Sequence, residues 1–111
     1  ELLLEREFTN AYVNRLYYAC FYAVSALLLT RGLSSSKHKG VRSLFHQYFV
    51  KTGIINKESG HIYDKFFDNR QRDDYDDFVR FDIEEIRDWH DEARLFVKLI
   101  NMLVHEEFNT H

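Results

Sequence analysis

Proline is absent from this chain of 111 residues, glycine occurs four times and cysteine once. Without proline the commonest helix breaker is missing, and so few glycines disfavour a sheet built on many tight turns. Long helices are what remain. The single cysteine, Cys20, excludes an intrachain disulfide. Set among Tyr18, Ala19 and Phe21 it reads as a buried, inert thiol, and a reducing, cytoplasmic setting fits. A long hydrophobic run is missing too. The uncharged stretch from Leu16 to Thr30 falls short of the about 20 residues that a membrane span needs. No basic segment with a cleavage site precedes it, so neither a membrane nor a targeting signal is expected. The chain opens at Glu1 without a methionine, as a trimmed fragment would.

What is present is an ordinary globular composition, 45% hydrophobic and 30% charged, with 16% aromatic residues. Such aromatic content lets a small core bury a large apolar area, so one domain over residues 1–111 is expected, with no repeat and no linker. The net charge of -3 hides an uneven distribution. Arg31, Lys37, Lys39, Arg42 and Lys51 follow one another with no acid between them, whereas Asp73, Asp74, Asp76 and Asp77 crowd together further on. The basic segment suits phosphates, and equally a solvated helix face with its loop; the acidic cluster argues against broad duplex binding.

Spacing predicts four helices, an all-α up-and-down bundle. The first runs from about residue 3 to Thr30, stopped by Gly32, with a stripe of Leu4, Phe8, Ala11, Tyr12, Arg15, Tyr18, Ala19, Tyr22, Ala26 and Leu29. Beyond Leu16 it is apolar all round, as a bundle centre or an interface would be. The second, Lys37 to Lys51, is offered caps by Ser34, Ser35 and Ser36, faces inward with Val41, Leu44, Phe45 and Tyr48, and ends at Thr52 and Gly53. The third, Lys57 to Tyr75, is capped by Asn56 and carries Ile62, Tyr63, Phe66, Phe67 and Arg70. The last starts at Asp82, with Glu85 suited to a capping box and Phe81 with Ile86 to a staple. Its stripe is Ile83, Ile86, His90, Ala93, Phe96, Val97, Ile100 and Val104, and it ends near Phe108.

Two cations fall on apolar stripes, Arg15 and Arg70, and an unpaired buried guanidinium is costly. Asp74, four residues after Arg70, is in reach on the same helical face, so a register-fixing ion pair is one reading. The other is a phosphate cleft lined by Arg15, His38, Arg70 and Tyr75, since arginine grips phosphate in a bidentate manner and histidine titrates near neutral pH. The aspartates lack the glycine and spacing of a calcium loop, no histidine pair has zinc-ligand spacing, and no glycine-rich phosphate loop occurs. No metal or cofactor is expected.

Three segments stand in a recognisable order: Asn14 to Phe21 (Asn-Arg-Leu-Tyr-Tyr-Ala-Cys-Phe), Lys37 to Val41 (Lys-His-Lys-Gly-Val) and Arg70 to Tyr75 (Arg-Gln-Arg-Asp-Asp-Tyr). Together they resemble the HEPN domain family, in particular its small prokaryotic branch related to stand-alone proteins paired with minimal nucleotidyltransferases. The likeness runs from about Phe8 to Ile100. It implies a four-helix bundle that often forms homodimers with a functional groove at the subunit interface. It also implies work on RNA: many members are metal-independent ribonucleases, often toxins or defence effectors, and others are non-catalytic.

The ribonuclease members carry a histidine four to six residues after an arginine late in the third helix. Arg70 matches the arginine, but Tyr75 stands five residues on, and no histidine lies between Asp74 and Asp77. Metal-free cleavage needs an acceptor for the 2′-hydroxyl proton and a cation at the developing phosphorane. Arg70 supplies the cation; a tyrosine of ordinary pKa, about 10, is a poor base at neutral pH. His38 is the imidazole on hand, from another helix. The expectation is therefore RNA or nucleotide binding with weak or no cleavage, with Arg70 and His38 at the chemical centre. Arg15, Tyr18, Lys37, Lys39, Arg42, Asp74 and Tyr75 would serve as contacts. Tyr75 is also, by analogy, a hydroxyl that a partner nucleotidyltransferase could modify. A non-catalytic interaction domain and an active ribonuclease using His38 are the alternatives.

Overall fold

Two helices of 28 residues, α1 (Leu2–Leu29) and α4 (Ile83–Thr110), are the long elements of the computed structural model, which describes residues 2–70 and 83–110. At 1.5 Å per residue each spans about 42 Å. Between them lie α2 (His38–Phe45), continued by a π-helical turn (His46–Val50), and α3 (Lys57–Asn69). The fold is an all-α four-helix bundle, without strands among the described residues.

Local chemistry sets the ends. Gly32 adopts φ 71°, its N–H bonds Leu29 O at 3.0 Å, and Leu33 N–H bonds Leu28 O at 2.9 Å. This pair of hydrogen bonds satisfies the last carbonyls of α1, and the left-handed residue in it is the expected glycine. Asn56 caps α3 as expected, its side-chain oxygen accepting from Ser59 N–H at 2.8 Å. For α2 the serines do not serve. Its N-cap is Lys37 with no side-chain cap, and Ser35 Oγ accepts instead from Lys37 N–H at 3.2 Å, outside the helix. Ser35 is held there because it packs on Gly40: a Cβ at Gly40 would lie 2.0 Å from Ser35 Oγ.

The π-helical turn explains why α2 keeps one face inward. Val41, Phe45 and Phe49 are all buried, spaced by four. In an α-helix four residues overshoot a full turn by about 40°, so the face would drift outward. The wider turn, closed by Lys51 N–H on His46 O at 2.8 Å, removes part of that drift.

Contacts give the directions. The Arg31 guanidinium, just past α1, donates to both Glu107 oxygens near the end of α4, at 2.9 and 3.2 Å. Tyr12 stacks on His90 nearer the other ends, so α1 and α4 run parallel. The Thr30 to Lys37 connection folds back, bringing His38 beside Tyr17 and Phe21 at the middle of α1. α3 runs against α2, through Arg42 with Asp68 and His46 with Asp64, and against α4, through Tyr63 with Phe96 and Phe66 with Trp89. The core is aromatic, with Tyr17, Phe45, Phe49, Tyr63 and Phe66 fully buried.

The buried face of α1 differs from the expected one. Val13, Leu16, Tyr17, Cys20, Val24, Leu27 and Leu28 point inward, while Phe8, Tyr22 and Leu29 of the expected stripe are 73%, 65% and 64% exposed. Arg15 is exposed as well, so it is not a buried cation. Both faces of α1 obey helical spacing, and the inward one is chosen by what the other helices bring to it. On α4 His90 is exposed and Trp89, adjacent to it, takes the inward place. α3 ends at Asn69, not Tyr75, with Arg70 as an extended C-cap at φ -69°, ψ 145°. Asp74, Tyr75 and the expected caps Phe81 and Asp82 lie outside the described residues.

Candidate nucleotide-binding cleft

Three helices converge on Tyr17. The ring is wholly buried, and its hydroxyl lies 2.6 Å from Nδ1 of His38, the first residue of α2. The guanidinium of Arg70, at the end of α3, sits 5.6 Å from the same ring and 4.0 Å from that of Phe67. The His38 imidazole is stacked on Phe21 at 4.4 Å and meets Tyr18 edge-on at 5.8 Å. His38 and Arg70 thus occupy one site although 32 positions separate 38 from 70. Sequence spacing could not show that convergence on Tyr17, because it depends on how α2 is folded back along α1.

Among the described residues, Arg70 is held by a carbonyl and an aromatic ring and by no carboxylate. Its Nη1 donates to Phe67 O at 2.8 Å, its Nε is buried without a hydrogen-bond partner, and no described acid pairs with it. Arg42 lies over the Phe67 ring too, at 4.2 Å, with Asp68 3.7 Å away. Phe67 therefore positions two guanidinium groups, each attracted by the ring quadrupole.

The electrostatics suit a neutral imidazole. Burial pushes the His38 pKa down, and the positive charge of Arg70 pushes it further. Burial pushes Tyr17 up, against the opposing influence of Tyr63 and Arg70. Tyr63, buried beside it, is also pushed up, by burial first and by Tyr17 second. Cys20 is fully buried and raised by burial to about 12, an inert thiol as expected.

Of the expected site residues, His38, Arg70, Tyr18 and Arg42 are together. Lys37 and Lys39 flank His38 and are exposed. Arg15 is not brought in, since two residues of α-helix turn it about 200° from Tyr17. Asp74 and Tyr75 lie outside the described residues. Spacing does not pick out Tyr17, which amid an apolar run reads as core. The signal that could have found it is its hydroxyl, because a buried tyrosine needs a polar partner. No group of three or more potential metal ligands occurs among the described residues.

The HEPN domain model matches residues 1–103, nearly all of the bundle just described. The chain belongs to the HEPN family. A UPF0332 protein of Thermotoga maritima is 47% identical over 106 residues, 96% of this chain and 80% of that protein. Two proteins of Methanocaldococcus jannaschii carry the names "Putative toxin MJ0142" and "Putative toxin MJ0605". They are 38% identical over 77% of this HEPN chain and 40% over 68%. The matched stretches span 58% and 56% of those two relatives, little more than half of their length. No solved structure matches the chain significantly. No described helix is long and apolar enough to cross a membrane.

Proposed function

We propose that this HEPN domain is one component of a toxin–antitoxin-like module with a minimal nucleotidyltransferase. It holds RNA or a nucleotide by phosphate at the Tyr17, His38 and Arg70 cleft, with weak or no cleavage. The observation that carries this reading is the convergence of His38 and Arg70 on Tyr17, with no described carboxylate opposing the guanidinium. A fixed cation beside a neutral imidazole is a recognition device for a phosphate oxygen. Lys37, Lys39 and Arg42 add positive charge around it, and Asp74 and Tyr75 are further contacts on this reading. The toxin names of two relatives support the module.

The outer face of α1 supports a homodimer, because Phe8, Tyr22 and Leu29 leave a large apolar surface in water. Arg15 shares that face, and a second copy could bring it to the groove. Nearness of His38 to Arg70 is also what an active ribonuclease would need, so that second reading is tested directly. A mixed RNA pool is incubated without metal with wild type, His38→Ala and Arg70→Ala, and salt-dependent binding is measured in parallel. Binding that weakens in Arg70→Ala, with little turnover by wild type, is expected. Robust cleavage lost in both variants would establish the ribonuclease instead, and absence of any binding by wild type would sink the proposal.

A further inference from the structure

The hydrogen bond at His38 has a direction, and the direction decides what the imidazole does. We infer that Tyr17 is a positioning residue: its hydroxyl donates to His38 Nδ1, which places the imidazole proton on Nε2 and makes His38 a donor to a phosphate oxygen and not a base. The ligand in this statement rests on the proposed function; the tautomer rests on the protein's own geometry.

The groups around the bond leave one arrangement satisfied. Tyr17 is 0% exposed; its hydroxyl lies 2.6 Å from His38 Nδ1, and its other polar neighbour is Tyr63, whose buried hydroxyl has no hydrogen-bond partner. Were Tyr17 to accept from Nδ1–H, its own proton would have to turn to Tyr63, and the Tyr63 proton would then have no acceptor in the core. Buried donors without acceptors are rare because each loses its water and gains nothing. In the opposite direction, Tyr17 donates to Nδ1 and its oxygen stays open to the Tyr63 hydroxyl. The Tyr17 proton then has its acceptor at 2.6 Å, and the Tyr17 oxygen is left as an acceptor beside the Tyr63 hydroxyl.

The charge state agrees. Tyr17, Tyr18 and Phe21 on α1 and Arg70 from α3 are the groups facing His38, and no described carboxylate contacts it. Nothing there stabilises an imidazolium, so one ring nitrogen must accept, and Nδ1 is the one with a donor against it. Nε2 makes no hydrogen bond among the described residues. With its proton in place it can grip a phosphate oxygen, yet it has no lone pair to accept the 2′-hydroxyl proton. Weak cleavage then follows from the wiring of the site and not only from the missing histidine after Arg70.

The test is nitrogen-15 NMR of the histidine side chains in the ligand-free protein at neutral pH, since the two neutral tautomers and the cation give distinct patterns. Wild type should show His38 protonated at Nε2 with a hydrogen-bonded Nδ1. Tyr17→Phe should give a mixture of tautomers and bind adenosine monophosphate about tenfold more weakly, the worth of one good hydrogen bond. His38→Gln, whose amide presents a donor near the Nε2 position, should retain most of the binding that His38→Ala loses. A wild-type proton on Nδ1, an imidazolium at neutral pH, or an unchanged Nε2 tautomer in Tyr17→Phe would each overturn the inference. Should Tyr17→Phe not fold, the wild-type spectrum alone still decides between the tautomers. The spectrum needs no ligand, so a failure of phosphate binding alone counts against the proposed function and not against the tautomer.

Discussion

Arg70 donates through Nη1 to the carbonyl of Phe67 at 2.8 Å while its guanidinium lies 4.0 Å from the Phe67 ring, so one residue fixes the cation twice. The ring attraction and the hydrogen bond are each worth about 1 kcal/mol. Against them stands the buried Nε without a partner, which costs an amount of the same order. Arg70 thus adds no more than about 1 kcal/mol to stability.

Replacing Arg70 by alanine should therefore change stability by about 1 kcal/mol or less, yet lower RNA or nucleotide binding at least about tenfold. Arg70→Lys should not restore binding, because a lysine lacks the planar fork. Urea unfolding and a binding isotherm on the same samples separate the two effects. A large loss of stability with unchanged binding would make Arg70 a structural cation.

Gly40 gives a second prediction. In a helix interior Gly→Ala ordinarily gains about 1 kcal/mol. Here the new Cβ would lie 2.0 Å from Ser35 Oγ and 2.8 Å from Ser35 Cβ, so the backbone of the loop must move. Gly40→Ala should destabilise by about 1 to 3 kcal/mol, and by shifting the start of α2 it should loosen His38 from Tyr17. Ser35→Gly removes both clashing atoms, so the double variant should recover most of the loss in a thermal-unfolding cycle. Additive losses would show that the two do not press on each other.

These two sites also mark how far the sequence can be read. Helix stops at Gly32 and Gly53 and the Asn56 cap are legible because each is decided within a few residues. The inward face of α1 is not, since Phe8, Tyr22 and Leu29 keep the same period as Leu16, Cys20 and Leu27. Arg15 falls on the expected apolar stripe for that reason alone. Arg70 stands out in the sequence, but spacing carries the helix past it, because Gln71 to Tyr75 includes no proline or glycine to stop it. The join of Tyr17 to His38 depends on three-dimensional return of the chain, to which periodicity is blind.

Stability should depend on pH through His38. Its folded pKa is depressed, by burial and then by Arg70, below the usual value of about 6.5 in an unfolded chain. The unfolded chain then binds the proton more readily. The contribution is fully present above about pH 6.5 and is lost as pH falls through the folded pKa. His38→Gln lacks this dependence. On going from pH 7.5 to 5 in urea titrations, wild type should lose stability relative to His38→Gln. A difference that is flat or of opposite sign would mean that the folded protein favours the imidazolium.

The outer face of α1 gives the last prediction. Phe8, Arg15, Tyr22 and Leu29 recur every seven residues, with Ala11, Ala19 and Ala26 between them. Two turns of α-helix are 7.2 residues, so these side chains form one nearly straight ridge. Three of its four large members are apolar and exposed, and the small alanines would let a second helix approach closely. On the proposed homodimer such a ridge would pair about a two-fold axis, each side meeting the same patch of its partner. Placing a charge at the centre strands it against apolar surface on both sides at once. Tyr22→Glu or Leu29→Glu should each weaken association by about 2 kcal/mol or more, roughly thirtyfold, without unfolding the domain, since neither side chain is in the core. Because the contact is apolar, moderate salt should leave the wild-type dimer intact. Light scattering with a circular dichroism control reads both quantities. A wild-type monomer at micromolar concentration would remove the dimer, and a dimer unaffected by both charges would place the interface on another face of the bundle.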